Sequence, residues 1–544
     1  MSLLWLIGGL LGLLALTGAG LWAWRWFYRD TPANTARRVF KNSAVTLAMR
    51  MVVRALDMVI FFILAGSFDV ATFGDYLFAI LLVGQYLTIF TEFGLGVLLT
   101  REVARDPASA RRLFGATLVL RLVLIGAIAL PVALLVIGGY AVLGQPISVA
   151  GQQTMFILLL TLIPSAFSGA VTALYNASER MEVPALMEVV TATLNFLARL
   201  GVMILGLGIL GLAWAAVAVT AITALIFAAL QCRDFFPPRV EWDLASMRWL
   251  ALTALPLMLN NMLSAVFFRF DVFVVRAFGG PAAERLVGQY NMPYTLLNIA
   301  MIIPPAVTFA VFPLLSRRAG GDRAGLAAAQ NRTLQVLLLL AFPLAMGLSV
   351  LSHDLIQLFT RRQFPDYQPS ITVLAILAWF LPLSFVNGLI QYVLIAVNRQ
   401  AAITRAFVIG AAFNLLANLT TMPLAAYGLG QPVWGLYAAA VITILSEVVL
   451  YLVFLPLLRS EALVPPLLAL AWRPLLAALA MGVVMLSVIA ALPEHAGAVV
   501  PGWPGSLAAA LLAPLAYGVA LWAVGGIGAA ERDLARRIFS RGDA

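Results

Sequence analysis

The chain has 544 residues, of which 63% are hydrophobic and only 11% charged, with a formal net charge of +10 and a mean hydropathy of +1.00. Soluble domains carry about a quarter charged residues, so lipid rather than water must solvate most of this chain. The single cysteine, Cys232, and the two distant histidines, His353 and His495, exclude a disulfide framework and a Cys/His metal site.

In chain order, apolar stretches able to cross roughly 30 Å of hydrocarbon are expected near 3–24, 43–65, 76–99, 113–138, 153–175, 183–206, 211–231, 252–278, 287–315, 333–357, 370–396, 401–424, 434–457, 474–492 and 505–527. The expected fold is an all-α integral membrane protein with about 14 core transmembrane helices plus one extra N-terminal helix. The first stretch has no basic residues before it and several after it, so it reads as an uncleaved anchor with its N-terminus outside rather than as a signal peptide. Placing residues 25–42 in the cytoplasm puts twenty-five basic loop residues on that side and three, Arg285, Arg361 and Arg362, on the other. Cytoplasmic loops collect Lys and Arg, so the C-terminus is expected to be cytoplasmic, in a multi-pass bacterial or archaeal plasma-membrane protein. The basic residues lie between apolar runs rather than in one stripe, so no nucleic-acid partner is expected.

The core carries an internal repeat. Asp57, Gly66, Gly74 and Tyr76 recur, at identical spacing, as Asp271, Gly280, Gly288 and Tyr290. A second correspondence lays Gly169, Arg180 and Asn195 over Gly388, Arg399 and Asn414. Six expected helices separate the copies, so both halves enter the membrane from the same side, as in parallel-repeat transporters with a substrate site at the interface of the halves. The expected organisation is residues 1–35 as anchor and basic linker, 36–240 and 241–460 as six-helix lobes, and 461–544 as two further helices and a basic tail.

Ionisable residues inside spans are costly unless they face a cavity or a partner. Arg50, Arg54 and Asp57 share one face of the first core helix by their spacing, and Asp57 lies roughly 13 Å deep by helical rise. The matching helix of the second half has Arg269, Asp271 and Arg276, with Asp271 about 200° round from Arg269 on a regular helix. Glu92, Arg121, Glu188, Arg199, Asp354 and Glu447 are also placed within spans. Pairs such as Asp57 with Arg54, or Glu188 with Arg199, have a structural reading as well as a functional one. Asn195 and Asn414 fit interhelical hydrogen bonding as well as a polar cavity.

All but one of the 34 basic residues are arginine, Lys41 being the exception. Arginine keeps its proton, and its planar fork suits phosphate. Arg50, Arg54, Arg121, Arg199, Arg269 and Arg276 are therefore expected to bind an anionic substrate. Asp57, Glu92 and Asp271 are the candidates for ion coupling, and Asn195 and Asn414 for the polar lining. No Walker loop surrounds Lys41 and no paired histidines mark a zinc hydrolase, so a non-enzymatic protein without cofactors is expected. A membrane glycosyltransferase or polysaccharide ligase is the alternative from another class.

The Asp57-to-Tyr76 block, Glu92-Phe93-Gly94-Leu95-Gly96, Arg101-Glu102-Val103-Ala104-Arg105, Phe312-Pro313-Leu314-Leu315-Ser316 and the Asn398-Arg399 turn together resemble polysaccharide flippases. These belong to the multidrug/oligosaccharidyl-lipid/polysaccharide (MOP) exporter superfamily. The resemblance covers roughly residues 36–460. It implies two six-helix lobes around a central cavity and alternating access. It also implies a polyprenyl-(pyro)phosphate-linked oligosaccharide as cargo, with pyrophosphate against the arginines, the lipid tail in the bilayer, and a polymerase or glycosyltransferases as partners. A multidrug exporter or a lipid II flippase of the same superfamily is the nearer alternative. The extra first helix departs from the family pattern.

Overall fold

A computed structural model describes residues 35–238, 242–492 and 503–526. Helices and turns make up these residues, with no strand among them. The expected anchor near 3–24 and the basic tail beyond residue 526 lie outside the described residues. Eleven helices among those described are long and apolar enough to cross a membrane, or up to 13 if two bent pairs each count as one span. The Thr35–Ala65 helix has 31 residues, about 46 Å at 1.5 Å per residue, which is also sufficient. The chain packs into two compact units, Met1–Ala265 and Val266–Ala544.

In the first unit the second span is broken. Asp69 caps the Val70–Ile80 helix by accepting from the Thr72 amide at 2.9 Å, and a π-helical stretch, Leu81–Leu87, follows. The helix stops at Glu92, Phe93 and Gly94 turn left-handed at φ 51° and 73°, and a new helix runs over Leu95–Arg105. The Glu92–Gly96 motif is thus a helix break. Phe93, Leu95 and Leu98 pack there against Leu250, Ala254 and Met258 of the Leu244–Arg269 helix.

Gly94 is required twice over. Its φ is positive, and a Cβ there would lie 2.6 Å from the Cβ of Leu257. Gly94→Ala is expected to destabilise the protein by about 2–4 kcal/mol, combining left-handed strain with overpacking. Gly126→Ala, where a Cβ meets nothing within 4 Å, should leave the unfolding midpoint unchanged or slightly raised. Thermal unfolding of the purified protein in detergent checks both.

The repeat is visible in backbone geometry. Glu179 (φ 58°) and Asn398 (φ 61°) are 219 positions apart, and both are left-handed. The Glu179 amide donates to Asn176 O at 3.2 Å and the Asn398 amide to Ile395 O at 3.0 Å. Arg180 N donates to Tyr175 O at 3.0 Å and Arg399 N to Leu394 O at 2.8 Å. Each arginine then meets an acid after the last helix of its six-helix block. Arg180 pairs with Asp234 at 3.0 Å, and Arg399 with Glu461 at 2.8 Å.

The copies diverge at the first aspartate pair. Asp57 sits within one continuous helix, as expected, but the matching Leu244–Arg269 helix ends just before Asp271, which opens the next helix. Phe270 between them keeps right-handed helical dihedrals, φ −71° and ψ −25°. The break is stabilised because Asp271 lies in the first turn of the Asp271–Phe278 helix, where a carboxylate complements the helix dipole, and accepts from the Val272 amide at 2.9 Å.

Candidate functional site

In the first unit, Arg54 and Asp57 are exposed on one face of the Thr35–Ala65 helix. Arg199 is half-buried on the Glu182–Leu205 helix, and its charge and that of Arg54 both act on Asp57. The Nε of Arg199 is buried without a hydrogen-bond partner. Two guanidiniums around one carboxylate leave an excess positive charge. Ionised groups of this kind are costly in hydrocarbon unless they face a partner or a polar space. Asn195 is half-buried one turn before Arg199, hence on the same side of its helix. Arg50 lies on the Thr35–Ala65 helix, but its side chain lies outside what the structure describes.

Arg121 is placed differently. It is 1% exposed, donates from Nη1 to Ala166 O at 2.8 Å, and lies 3.8 Å from Glu92 Oε1. Gly169 makes room for it, since a Cβ there would sit 2.6 Å from Arg121 Nη1. The Glu92 side chain is 55% exposed at the Phe93–Gly94 break. A sealed guanidinium thus backs a carboxylate with an open side.

In the second unit, Arg269 donates to Asn291 Oδ1 at 2.9 Å and lies 4.6 Å from the centre of the Tyr294 ring. Its Nη1 is buried without a hydrogen-bond partner. Asp271, 1% exposed, accepts from Tyr290 at 2.6 Å and Tyr294 at 2.9 Å, with Thr443 at 3.5 Å. Arg269 and Asp271 therefore converge on Tyr294. Arg276 is brought instead to Glu284 at 3.3 Å. Asn414 donates to Ser446 at 3.0 Å and accepts from Asn418 at 3.1 Å, an interhelical and intrahelical bond set of the structural kind.

The structure adds partners to two groups of residues that the sequence showed only in part. Tyr294 joins the Asp271 cluster, where the sequence had signalled only Tyr290, through the repeat. Glu447 is held by Asn387, which donates to its carbonyl at 2.9 Å and to Oε2 at 2.6 Å. Asn387 precedes the repeat glycine Gly388, the one sequence signal that pointed there. No group of three or more metal-ligating residues occurs among the described residues.

Comparison with known proteins gives the following relationships. No curated protein matches the chain. Among solved structures it is similar to the lipid II flippase MurJ in an inward closed conformation, at 13% identity, covering 91% of this chain and 100% of that one, with a TM-score of 0.69. An inward-facing multidrug resistance MATE family transporter of the MOP superfamily shares 14% identity over 76% of this chain and 95% of that one, with a TM-score of 0.62. A MOP superfamily transporter from Pyrococcus furiosus shares 14% over 77% and 96%, with a TM-score of 0.54. At such identities the likeness is one of fold. The MatE family profile matches residues 256–420. The profile described as Polysaccharide biosynthesis protein matches residues 39–318, over half of the sequence. The chain belongs to this polysaccharide biosynthesis family and so to the MOP superfamily of multi-pass membrane transporters.

Proposed function

We propose that the chain is a flippase that moves a polyprenyl-(pyro)phosphate-linked oligosaccharide across the cytoplasmic membrane of a bacterium or archaeon, by alternating access, for cell-surface polysaccharide synthesis. The observation that carries this reading is the surplus of guanidinium at membrane depth. Arg54 and Arg199 share the single carboxylate of Asp57, and Arg269 retains a buried N–H group without a partner. Arginine binds phosphate oxygens through charge-assisted, often bidentate hydrogen bonds, and these groups are assigned to the (pyro)phosphate. Likeness in fold to a lipid II flippase and membership of a polysaccharide biosynthesis family both favour a lipid-linked glycan. A multidrug exporter for cationic drugs would call for the opposite charge. Asp57 and Glu92, each with an open side, are assigned to ion coupling. The arginine distribution of the sequence favours a cytoplasmic tail beyond residue 526.

Deleting the gene should leave the complete lipid-linked oligosaccharide on the cytoplasmic face. A truncated intermediate would instead point to a glycosyltransferase. In proteoliposomes loaded with that lipid, Arg54→Ala and Arg269→Ala should each slow translocation by about ten- to a hundredfold, the equivalent of one charge-assisted hydrogen bond set. The variants should remain monodisperse. Wild-type flux in both would remove the phosphate assignment.

A further inference from the structure

The repeat-related glycines Gly169 and Gly388 do different things. In the first unit the space beside Gly169 is filled by the Arg121 guanidinium. Across residues 335–340, which match Arg121 in the second unit, the sequence is Gln-Val-Leu-Leu-Leu-Leu and holds no arginine. Beside Gly388 the structure has instead a cavity of about 120 Å³ whose lining includes Glu447, Asn387, Thr308, Gln391 and Tyr392.

The chemistry of its most deeply buried polar groups is one-sided. Glu447, Asn387 and Thr308 are each no more than 2% exposed. Asn387 spends its amide N–H groups on Glu447, which leaves its Oδ1 without a partner, and the Thr308 hydroxyl also lacks one. Ser384 lies on the same lining. A carboxylate, an amide oxygen and a hydroxyl therefore line one small space, and buried polar atoms of this kind are normally satisfied by a ligand, water or protein group. An acceptor-rich set calls for a ligand that donates hydrogen bonds. It is unsuited to phosphate. The half-buried rim is apolar and aromatic, with Phe268 and Tyr392, in the usual pattern of a small-molecule site.

We infer that this cavity is a subsite for one neutral sugar ring, its hydroxyls donating to Glu447, Asn387 Oδ1 and Thr308 while Tyr392 and Phe268 flank its apolar edge. This rests on the proposed flippase reading and deepens it. Arginines take the anionic (pyro)phosphate and the Glu447 cavity takes part of the uncharged glycan.

The test uses the full chain in detergent micelles and free monosaccharides without lipid or phosphate: glucose, galactose, mannose, rhamnose and their available N-acetylhexosamine analogues. Saturation-transfer NMR should detect saturable contact with at least one sugar at millimolar concentration. Glu447→Gln and Thr308→Val should each weaken that contact by about tenfold or more. Gly388→Val removes no polar group, and its Cβ would meet only ordinary van der Waals contact, the nearest atom being Pro304 Cβ at 3.8 Å. It should block the contact while the protein still folds, as judged by its unfolding midpoint. Arg54→Ala should leave it intact.

Polyprenyl pyrophosphate without sugar separates the two readings. It should bind wild type and Gly388→Val alike, and Arg269→Ala more weakly. No contact with any sugar, or contact unchanged in Gly388→Val, overturns the subsite even where translocation of the lipid-linked glycan is confirmed. Binding of ²²Na⁺ that is lost in Glu447→Gln, with no sugar contact, overturns it in favour of a cation site. Loss of the sugarless lipid's binding preference while sugar contact persists counts against the phosphate reading alone.

Discussion

Gly169→Val is expected to cost about 3–5 kcal/mol of stability, a large share of a total that is on the order of 5–15 kcal/mol. The substituent would enter the position held by Arg121, whose Nη1 lies 2.6 Å from the ideal Cβ. That guanidinium is tied to Ala166 O and buried, so displacement breaks its backbone bond and moves a charge out of reach of Glu92. Removing a partner from a buried charge is far costlier than losing a surface ion pair. The cause can be isolated by repeating the substitution in an Arg121→Leu background, where no charge remains to be displaced. There the penalty of Gly169→Val should shrink by about 2 kcal/mol or more, a coupling that a double-mutant cycle of unfolding midpoints reads directly. Equal penalties in both backgrounds would mean that the glycine serves some other packing need.

Asp271→Ala should have a comparable effect on the second unit, about 3–5 kcal/mol. It would strand the hydroxyls of Tyr290 and Tyr294 in a buried site and leave Arg269 without the opposing carboxylate. Asp271→Asn retains an oxygen to accept from both tyrosines, so most of the stability should return. Transport then discriminates between roles. If Asp271→Asn folds and carries no flux, the charge itself is needed and Asp271 joins Asp57 and Glu92 as a coupling candidate. If it translocates the lipid-linked glycan at the wild-type rate, Asp271 is a scaffold for the Arg269 break. Paired measurements of unfolding and flux on the same preparation give the answer.

The spans and the duplication are legible in the sequence because both are local. A span needs only enough consecutive apolar residues, and the repeat needs only spacing. The turn at Asn176–Arg180 and its copy at Ile395–Arg399 share hydrogen bonds as well as residues. What resists reading is anything decided by a helix break or by a neighbour far along the chain. That Arg269 and Asp271 both reach Tyr294 depends on where the Ala283–Ala300 helix returns, which their spacing does not show. The partner of Arg276 is Glu284, only eight residues away; the sequence displays both, but not that the chain folds back there. Among the six arginines grouped by depth, Arg121 proves sealed against Glu92, whereas Arg54 lies open. Depth in the membrane follows from position along a helix, but access does not. Glu447 was visible as a charge within a span, yet the amide that holds it comes from a different helix, Phe380–Ala396.

The matched turns at Glu179 and Asn398 also bear on how the protein is made. Each turn is stitched by its own backbone bonds as soon as it forms, but its arginine finds an acid only at the end of the block's last helix, at Asp234 or Glu461. During synthesis the fastening therefore closes late, when the final helix of each block has left the ribosome and entered the bilayer. Chains ending just before residue 234 would hold nearly all of the Gly208–Asp234 helix with Arg180 still lacking this counterion, and those ending beyond it would have it. The same late pairing recurs at Glu461.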